Sequence, residues 1–306
     1  MRRVSSLVVG SGFVGTGIAR LLVAAGDAVT LVSRGYPADP PEEYGARWSA
    51  LDATDAEACG RLVSRLRPRR IVLVHGPSDV TWCEAHPEEA ARAHAAVAAA
   101  FASLGGRSRI VMISTDNVFD GGSPENTEAT PVSPANAYGR AKRRAEELLL
   151  ARAADAVSLR VSLVYGHEPA DAGKWLNYFA ACAHRLRAGA PVEAPEDQWT
   201  TPVHVDDVAE VVAALLTSVD PLPPVLHLGG PDRVSRAEWA TVIARGLHLP
   251  AGLVLPVPKA LSRYASRPRN ACLSSTFLAA LPATRGIAVR GVEEGARDLA
   301  GAFRSP

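Results

Sequence analysis

Blocks of apolar residues recur along the chain with two different spacings. Val4–Val9 is a β-rich run. After a group of glycines, apolar residues at Ile18, Leu21 and Leu22 follow a helical period up to Gly26. Further strand-like runs lie at Ala28–Val32, Ala46–Leu51 and Ile71–Val74; the last is wholly apolar, as a strand covered on both faces requires. Helical segments separate them. A T-x-x-E capping box at Thr54 and Glu57 predicts a helix over Asp55–Leu66. Pro87-Glu88-Glu89 opens an alanine-rich helix that runs to Leu104 and closes at Gly105-Gly106. Arg109–Ile113 is expected as a fifth strand, a helix carrying Tyr138 runs to about Ala154, and Val157–Val164 is a sixth strand. Strand and helix in alternation predict an α/β fold with a doubly wound parallel sheet. Beyond Gly166 the alternation loosens. Trp175–Leu186 reads as a helix, Pro191–Pro202 as irregular, Val203–Ser218 as a strand turning into a helix, and Val225–Leu228 as a short strand; Ser235 and Glu238 cap one more helix.

Composition narrows the classes. The 306 residues suffice for one large core or two smaller ones. No apolar run approaches the roughly 18 residues that span a bilayer. Arg2-Arg3 leads into a six-residue apolar-rich run too short for a signal segment. The net charge of +1 makes no electrostatic case for nucleic acid or a membrane surface. Cys59, Cys83, Cys182 and Cys272 form no C-x-x-C, so free thiols in a reducing, cytoplasmic setting are expected, with no metal site.

Three places carry candidate chemistry. The first is Gly10-Ser11-Gly12-Phe13-Val14-Gly15 between a strand and a helix. The G-x-G-x-x-G spacing turns the backbone tightly and lets a pyrophosphate approach a helix N-terminus, where free N–H groups favour anions. The second is the end of the second strand. An NAD site places an acid there for the ribose 2′-hydroxyl, whereas this chain has Val32-Ser33-Arg34-Gly35, with Asp39 the next acid. Ser33 and Arg34 suit a 2′-phosphate, so NADP(H) is expected over NAD(H). Asp52-Ala53 follow the third strand, where the Asp is expected either to meet the adenine amino group or to stabilise the turn. His75-Gly76 follow the fourth, at an end that faces the cofactor crevice; His94 is expected to pack. The third place is Tyr138-Gly139-Arg140-Ala141-Lys142. Residues four apart share a helix face, and an ammonium there would lower a phenol's pKa toward neutrality. Six Tyr and three Lys give about 0.06 chance Tyr-x-x-x-Lys matches in this chain. Thr115, at the end of the fifth strand, is placed to hydrogen-bond a carbonyl beside that tyrosine.

With these residues in view, the chain resembles the extended short-chain dehydrogenase/reductases, and within them the dTDP-4-dehydrorhamnose reductase branch. Ser114-Thr115-Asp116-Asn117-Val118-Phe119-Asp120-Gly121 is similar to that branch's S-T-D-Y-V-F-D-G. Tyr138-x-x-x-Lys142 is the superfamily pair, and Val164-Tyr165-Gly166 resembles its V-Y-G. Asp197-Gln198 with Thr201-Pro202, Val203-His204-Val205-Asp206-Asp207-Val208-Ala209, and Arg267-Pro268-Arg269-Asn270-Ala271-Cys272-Leu273 complete the likeness. Asn117 stands where the branch has tyrosine, His75-Gly76 where small residues are common, and His94 where Asn is common.

The resemblance implies a Rossmann NADP-binding domain (1–163 plus 203–229) and a smaller C-terminal α/β domain (164–202 plus 230–306) that grips a nucleotide sugar. It implies NADPH-dependent reduction of a dTDP-4-keto-6-deoxyhexose, in a deoxysugar or specialised-metabolite pathway, with Thr115, Tyr138 and Lys142 as the catalytic set. Gly10, Gly12, Phe13, Val14, Gly15, Ser33, Arg34, Asp52, Ala53, His75, Gly76, Tyr138 and Lys142 would contact the cofactor. Thr115, Asn117, Val118, Tyr138, Tyr165, Trp199 and Arg267 would contact the sugar nucleotide. A homodimer is left open. Two other readings stay in play. One is an epimerase or dehydratase of the superfamily, although Asp116 is followed by Asn117 rather than Glu. The other is a non-catalytic subunit like the regulatory subunit of methionine adenosyltransferase.

Overall fold

β-Branched and leucine-rich runs become strands where both faces can be covered. In the computed structural model, which describes residues 3–171 and 175–303, they form β1 (Ser5–Val9), β2 (Ala28–Ser33), β3 (Arg47–Ala50), β4 (Arg70–Leu73), β5 (Arg109–Thr115) and β6 (Ala156–Val161). The helices between them are α1 (Phe13–Ala24), α2 (Ala56–Leu66), α3 (Val80–Ala85), α4 (Pro87–Leu104) and α5 (Ala137–Leu150). The chain continues through β7 (Val164–Tyr165), α6 (Tyr178–Arg187), β8 (Val192–Pro195), β9 (Trp199–Thr200), β10 (Val203–His204), α7 (Val205–Thr217) and β11 (Val225–Leu228). It ends with β12 (Val234–Ser235), α8 (Arg236–Gly246), β13 (Val254–Val257), β14 (Asn270–Ala271) and α9 (Val292–Leu299).

One seven-stranded sheet has the order β11-β6-β5-β4-β1-β2-β3, every neighbouring pair parallel. Chain order reverses between β1 and β4, the switch point where doubly wound sheets take their ligands. One apolar cluster packs α1 and α7 on one face; another packs α2, α4 and α5 on the other. A further cluster gathers α6, α8 and α9 around Tyr165, Phe179 and Trp239. Among the described residues no helix is long and apolar enough to cross a membrane. All four cysteines are buried and free.

Local physics moves some boundaries from their expected places. The α2 cap is Asp55, whose Oδ1 accepts the N–H groups of Glu57 and Ala58 at 3.0 Å. Thr54 does not cap it; it lies one residue before the cap, and its hydroxyl donates to Asp52 at 2.7 Å. The sixth strand breaks after Val161. The Ser162 N–H still donates to the Leu228 carbonyl at 3.0 Å while its side chain bonds Thr200 and the Ala271 carbonyl, both at 3.0 Å, and β7 then pairs with β10 in a separate ladder. The helix expected from Trp175 starts at Tyr178, capped by Asn177. The capping box of α8 forms as expected: Glu238 N–H reaches Ser235 Oγ at 3.1 Å and Ser235 N–H reaches Glu238 Oε2 at 2.7 Å.

Candidate active site

The glycine turn between β1 and α1 leaves room for a pyrophosphate. Gly10 has φ +116°, and a Cβ there would lie 2.4 Å from the Val74 carbonyl oxygen. A Cβ at Gly15 would lie 2.0 Å from the Gly10 carbonyl oxygen, so these two glycines let backbone pack on backbone. At Gly12 a Cβ would meet nothing within 4 Å. Gly12 caps α1 without a side-chain bond, so its side chain takes none of the first-turn N–H groups. That cradle suits a dinucleotide. Phe13 packs over Gly166, and Val14 leans on the core.

At the adenosine end, Ser33 Oγ donates to the Gly35 carbonyl at 2.7 Å and accepts from Trp48 Nε1 at 3.0 Å. Its single hydrogen is therefore committed within the turn. Arg34 is exposed and close enough to Asp52 to help hold that carboxyl below its ordinary range, after the larger effect of two bonds from Thr54. Asp39 is held by Arg20 at 2.7 Å. At the end of β4, His75 is buried with Nε2 3.2 Å from the His94 carbonyl oxygen, and Gly76 has φ +89°. The His94 ring lies against Gly76, where a Cβ would come within 2.3 Å of it.

Thr115, Tyr138 and Lys142 converge. β5 delivers Thr115 at its last position, and α5 begins one residue before Tyr138. Asn136 joins the two elements. Its Oδ1 caps α5 through Gly139 N–H at 2.8 Å, and its Nδ2 donates to Asn117 Oδ1 at 2.8 Å. Glu84 accepts the Ala137 N–H. The Lys142 ammonium donates to the Ile113 carbonyl at 3.0 Å. Burial brings its pKa down to about 8, against the pull of Glu146. Tyr138 runs against expectation. Burial first, then the Asp116 charge, push its phenol up, while Thr115 pulls it slightly down. Lys142 points at Ile113 and does not lower the phenol. Tyr138 thus carries its proton in the neutral range.

Two expected substrate contacts, Tyr165 and Val118, lie in the core instead. Tyr165 is fully buried among Phe179, His204 and Trp239, its hydroxyl packed where a Gly295 Cβ would be, so it presents no surface to a ligand. Val118 is fully buried with Phe119 and Leu273. Trp199 is half-buried and carries Arg233 on its ring at 4.8 Å and Arg269 at 5.4 Å. Arg267 does belong to an exposed-to-buried cluster. It lies 5.2 Å from the Tyr264 ring, Arg236 4.1 Å and Arg263 5.4 Å from the same ring, and Arg263 also stacks on Trp175 at 3.8 Å. Burial and then Arg236 bring Arg267 down to about 10. Among the described residues the nearest carboxylate to any of the three is Asp79, 3.9 Å from Arg267. The Ser266 carbonyl accepts from Asn136, so this cluster abuts the start of α5. Three cations with aromatic faces and so little counter-charge fit a nucleoside diphosphate. Arg236 and Arg263 escaped sequence reasoning, because Arg236 opens α8 and meets Arg263 and Arg267 only in the folded chain. Among the described residues no cluster of His, Cys, Asp or Glu is placed to hold a metal.

The chain is similar to known proteins in sequence and in fold. Methionine adenosyltransferase 2 subunit beta of Rattus norvegicus is 28% identical over 77% of this chain and 71% of its own. The probable low-salt glycan biosynthesis reductase Agl14 of Haloferax volcanii is 28% identical over 86% of this chain and 87% of its own. The crystal structure of a dTDP-4-dehydrorhamnose reductase from Clostridium acetobutylicum superposes with a TM-score of 0.81, covering 98% of this chain and 100% of that one at 22% identity. The family model described as RmlD substrate binding domain matches residues 6–299, and to that family the chain belongs.

Proposed function

We propose that the protein is an NADPH-dependent reductase of the keto group of a dTDP-4-keto-6-deoxyhexose or a close relative. The observation that carries this reading is Thr115 beside a half-buried Tyr138, with an arginine–aromatic cluster against the start of α5. Bound cofactor would supply hydride from its nicotinamide. Gly10, Gly12 and Gly15 would hold the pyrophosphate, and Arg34, with no acid at the end of β2, would favour the 2′-phosphate. Tyr138 would give its proton to the ketone oxygen as carbon takes hydride. Lys142 spends one of its three N–H bonds on Ile113; the other two would hold ribose hydroxyls. A reductase needs Tyr138 only to give a proton, whereas an epimerase cycle would also need it as a base in each turnover.

The test is consumption of NADPH with a panel of nucleotide-linked 4-keto sugars. Turnover that falls at least about a thousandfold in Tyr138→Phe supports the reading; full activity in that variant ends it. Tightly bound NAD(H) with no net redox change would favour the epimerase. The likeness to a methionine adenosyltransferase beta subunit supports a second reading, an associating subunit. Stable co-purification with a larger enzyme and no turnover would favour it.

A further inference from the structure

The hydrogen-bond network around Thr115 has a forced direction, and the forcing starts at a backbone N–H. Gly139 N–H can only donate, so the atom of Asn136 that it meets is the amide oxygen. Asn136 Nδ2 therefore faces Asn117, and the Asn117 atom it meets is Oδ1. Asn117 Nδ2 is then turned to Asp116 Oδ1 at 2.8 Å and Thr115 Oγ1 at 3.2 Å. Thr115 Oγ1 also accepts the Asn117 N–H at 3.1 Å. Both lone pairs of the threonine are taken, and one hydrogen remains. That hydrogen has two acceptors in reach, Asp116 Oδ1 at 3.1 Å and the Tyr138 phenol oxygen. A carboxylate outcompetes a neutral oxygen for it.

We propose that Asp116 is a positioning residue acting through Thr115: as a carboxylate it holds the threonine's only available proton, and as a neutral carboxylic acid it releases that proton to a bound ketone. The inference rests on the ketoreductase reading above. The fold provides a seat for the acid's hydrogen. Ser162 Oγ lies 3.2 Å from Asp116 Oδ2, and its own hydrogen has the Ala271 carbonyl as an alternative acceptor at 3.0 Å. Ser162 Oγ accepts the Thr201 N–H at 3.3 Å, a proton on Oδ2 is donated to its other lone pair, and Ser162 turns its own hydrogen to Ala271. Asp116 Oδ1 keeps the Asn117 amide and becomes a weaker acceptor for Thr115.

The surroundings favour the switch. Burial raises the Asp116 carboxyl to about 6, against the Thr115, Ser162 and Asn117 bonds and the more distant Arg236 of α8. Tyr138 faces it from α5 and Cys272 from the segment after β14; burial holds both neutral, Cys272 at about 11. Lys142 titrates at about 8, and His75, brought down by burial to about 3, stays neutral. Asp116 therefore changes charge in a window of its own.

The experiment has two arms. Carboxyl-carbon NMR of the intact protein follows aspartate titration without any substrate. An aspartate titrating near pH 6, moved to higher pH in Thr115→Val, is the expected result, since the carboxylate then loses a donor. Aspartates that all titrate in the ordinary carboxylate range, or a titration indifferent to Thr115→Val, overturn the proposal. The second arm is the pH profile of kcat/KM for NADPH-dependent reduction. Wild type should lose about tenfold per pH unit between the Asp116 titration and pH 7. Asp116→Asn, a permanently neutral acid, should lack that inflection and exceed wild type at pH 7. An inflection retained in Asp116→Asn, or an equal loss at every pH, overturns the proposal. If no sugar is turned over, the ketoreductase reading fails while the NMR arm still decides the charge state and its link to Thr115.

Discussion

Tyr138 is held by neighbours that act in opposite directions. Burial and Asp116 make its proton harder to remove; Thr115 makes it slightly easier. The pair Tyr138 and Lys142 was legible from four-residue spacing, but the direction of the phenol's shift was not. Spacing places two side chains on one helix face, and only the folded chain shows that the ammonium bonds Ile113 instead. Histidines give a second prediction at this scale. His75 is buried with a pKa near 3, and burial also lowers His94. Each is lower in the folded state than its unfolded value of about 6.5. The stability they contribute is complete above that value and is lost as pH falls toward the folded pKa. Each can remove up to about 1.4 kcal/mol per pH unit across that interval. Denaturant titrations of wild type between pH 7 and 4 should therefore show falling stability, with a shallower slope in His75→Asn. An unchanged slope would show that His75 is not buried neutral.

Elements are set by caps and close approaches, and these were unevenly readable. The glycine turn and the Ser235–Glu238 box could be seen because their chemistry lies within six residues. The α2 cap was misread, since Thr54 and Asp55 are both cap formers, and Thr54 lies one residue before the cap with its hydroxyl on Asp52. Tyr165 was misplaced because a conserved-looking V-Y-G pattern does not show which core its ring enters. At the α5 start, Asn136→Ala removes a cap worth about 1 kcal/mol. It also leaves Asn117 Oδ1 without a donor, for a further loss of about 1–3 kcal/mol. Thermal unfolding should show that loss, and kcat should fall with it, because Asn136 ties the Thr115 strand to the Tyr138 helix. At the glycine turn two substitutions should separate. Gly10→Ala forces a strained φ and a backbone clash and should destabilise the fold by about 1–3 kcal/mol. Gly12→Ala should leave stability within about 0.5 kcal/mol and weaken NADPH binding at least about tenfold. Equal NADPH affinity in Gly12→Ala would show that the cradle is not the pyrophosphate site.

Over the whole molecule, the doubly wound sheet followed from the alternation of apolar periods, because a parallel sheet needs covered strands and crossover helices. The arginine cluster did not. Arg236, Arg263 and Arg267 meet around Tyr264 only when α8 and the segment before β14 come together, and no local pattern encodes that. The cluster predicts separable binding sites. Arg267→Ala should weaken dTDP binding at least about tenfold, with a reduced salt dependence, and leave NADPH binding unchanged. Calorimetric titration of both ligands reads the two effects.

The most direct measurement is isotope transfer. NADPH carrying deuterium at the nicotinamide C4 would be incubated with a dTDP-4-keto-6-deoxyhexose, and the product sugar examined by NMR. Deuterium at the reduced carbon in wild type, and none formed by Tyr138→Phe over the same time, is the result expected here. Product without the label, or labelled product made as fast without the tyrosine hydroxyl, would contradict it.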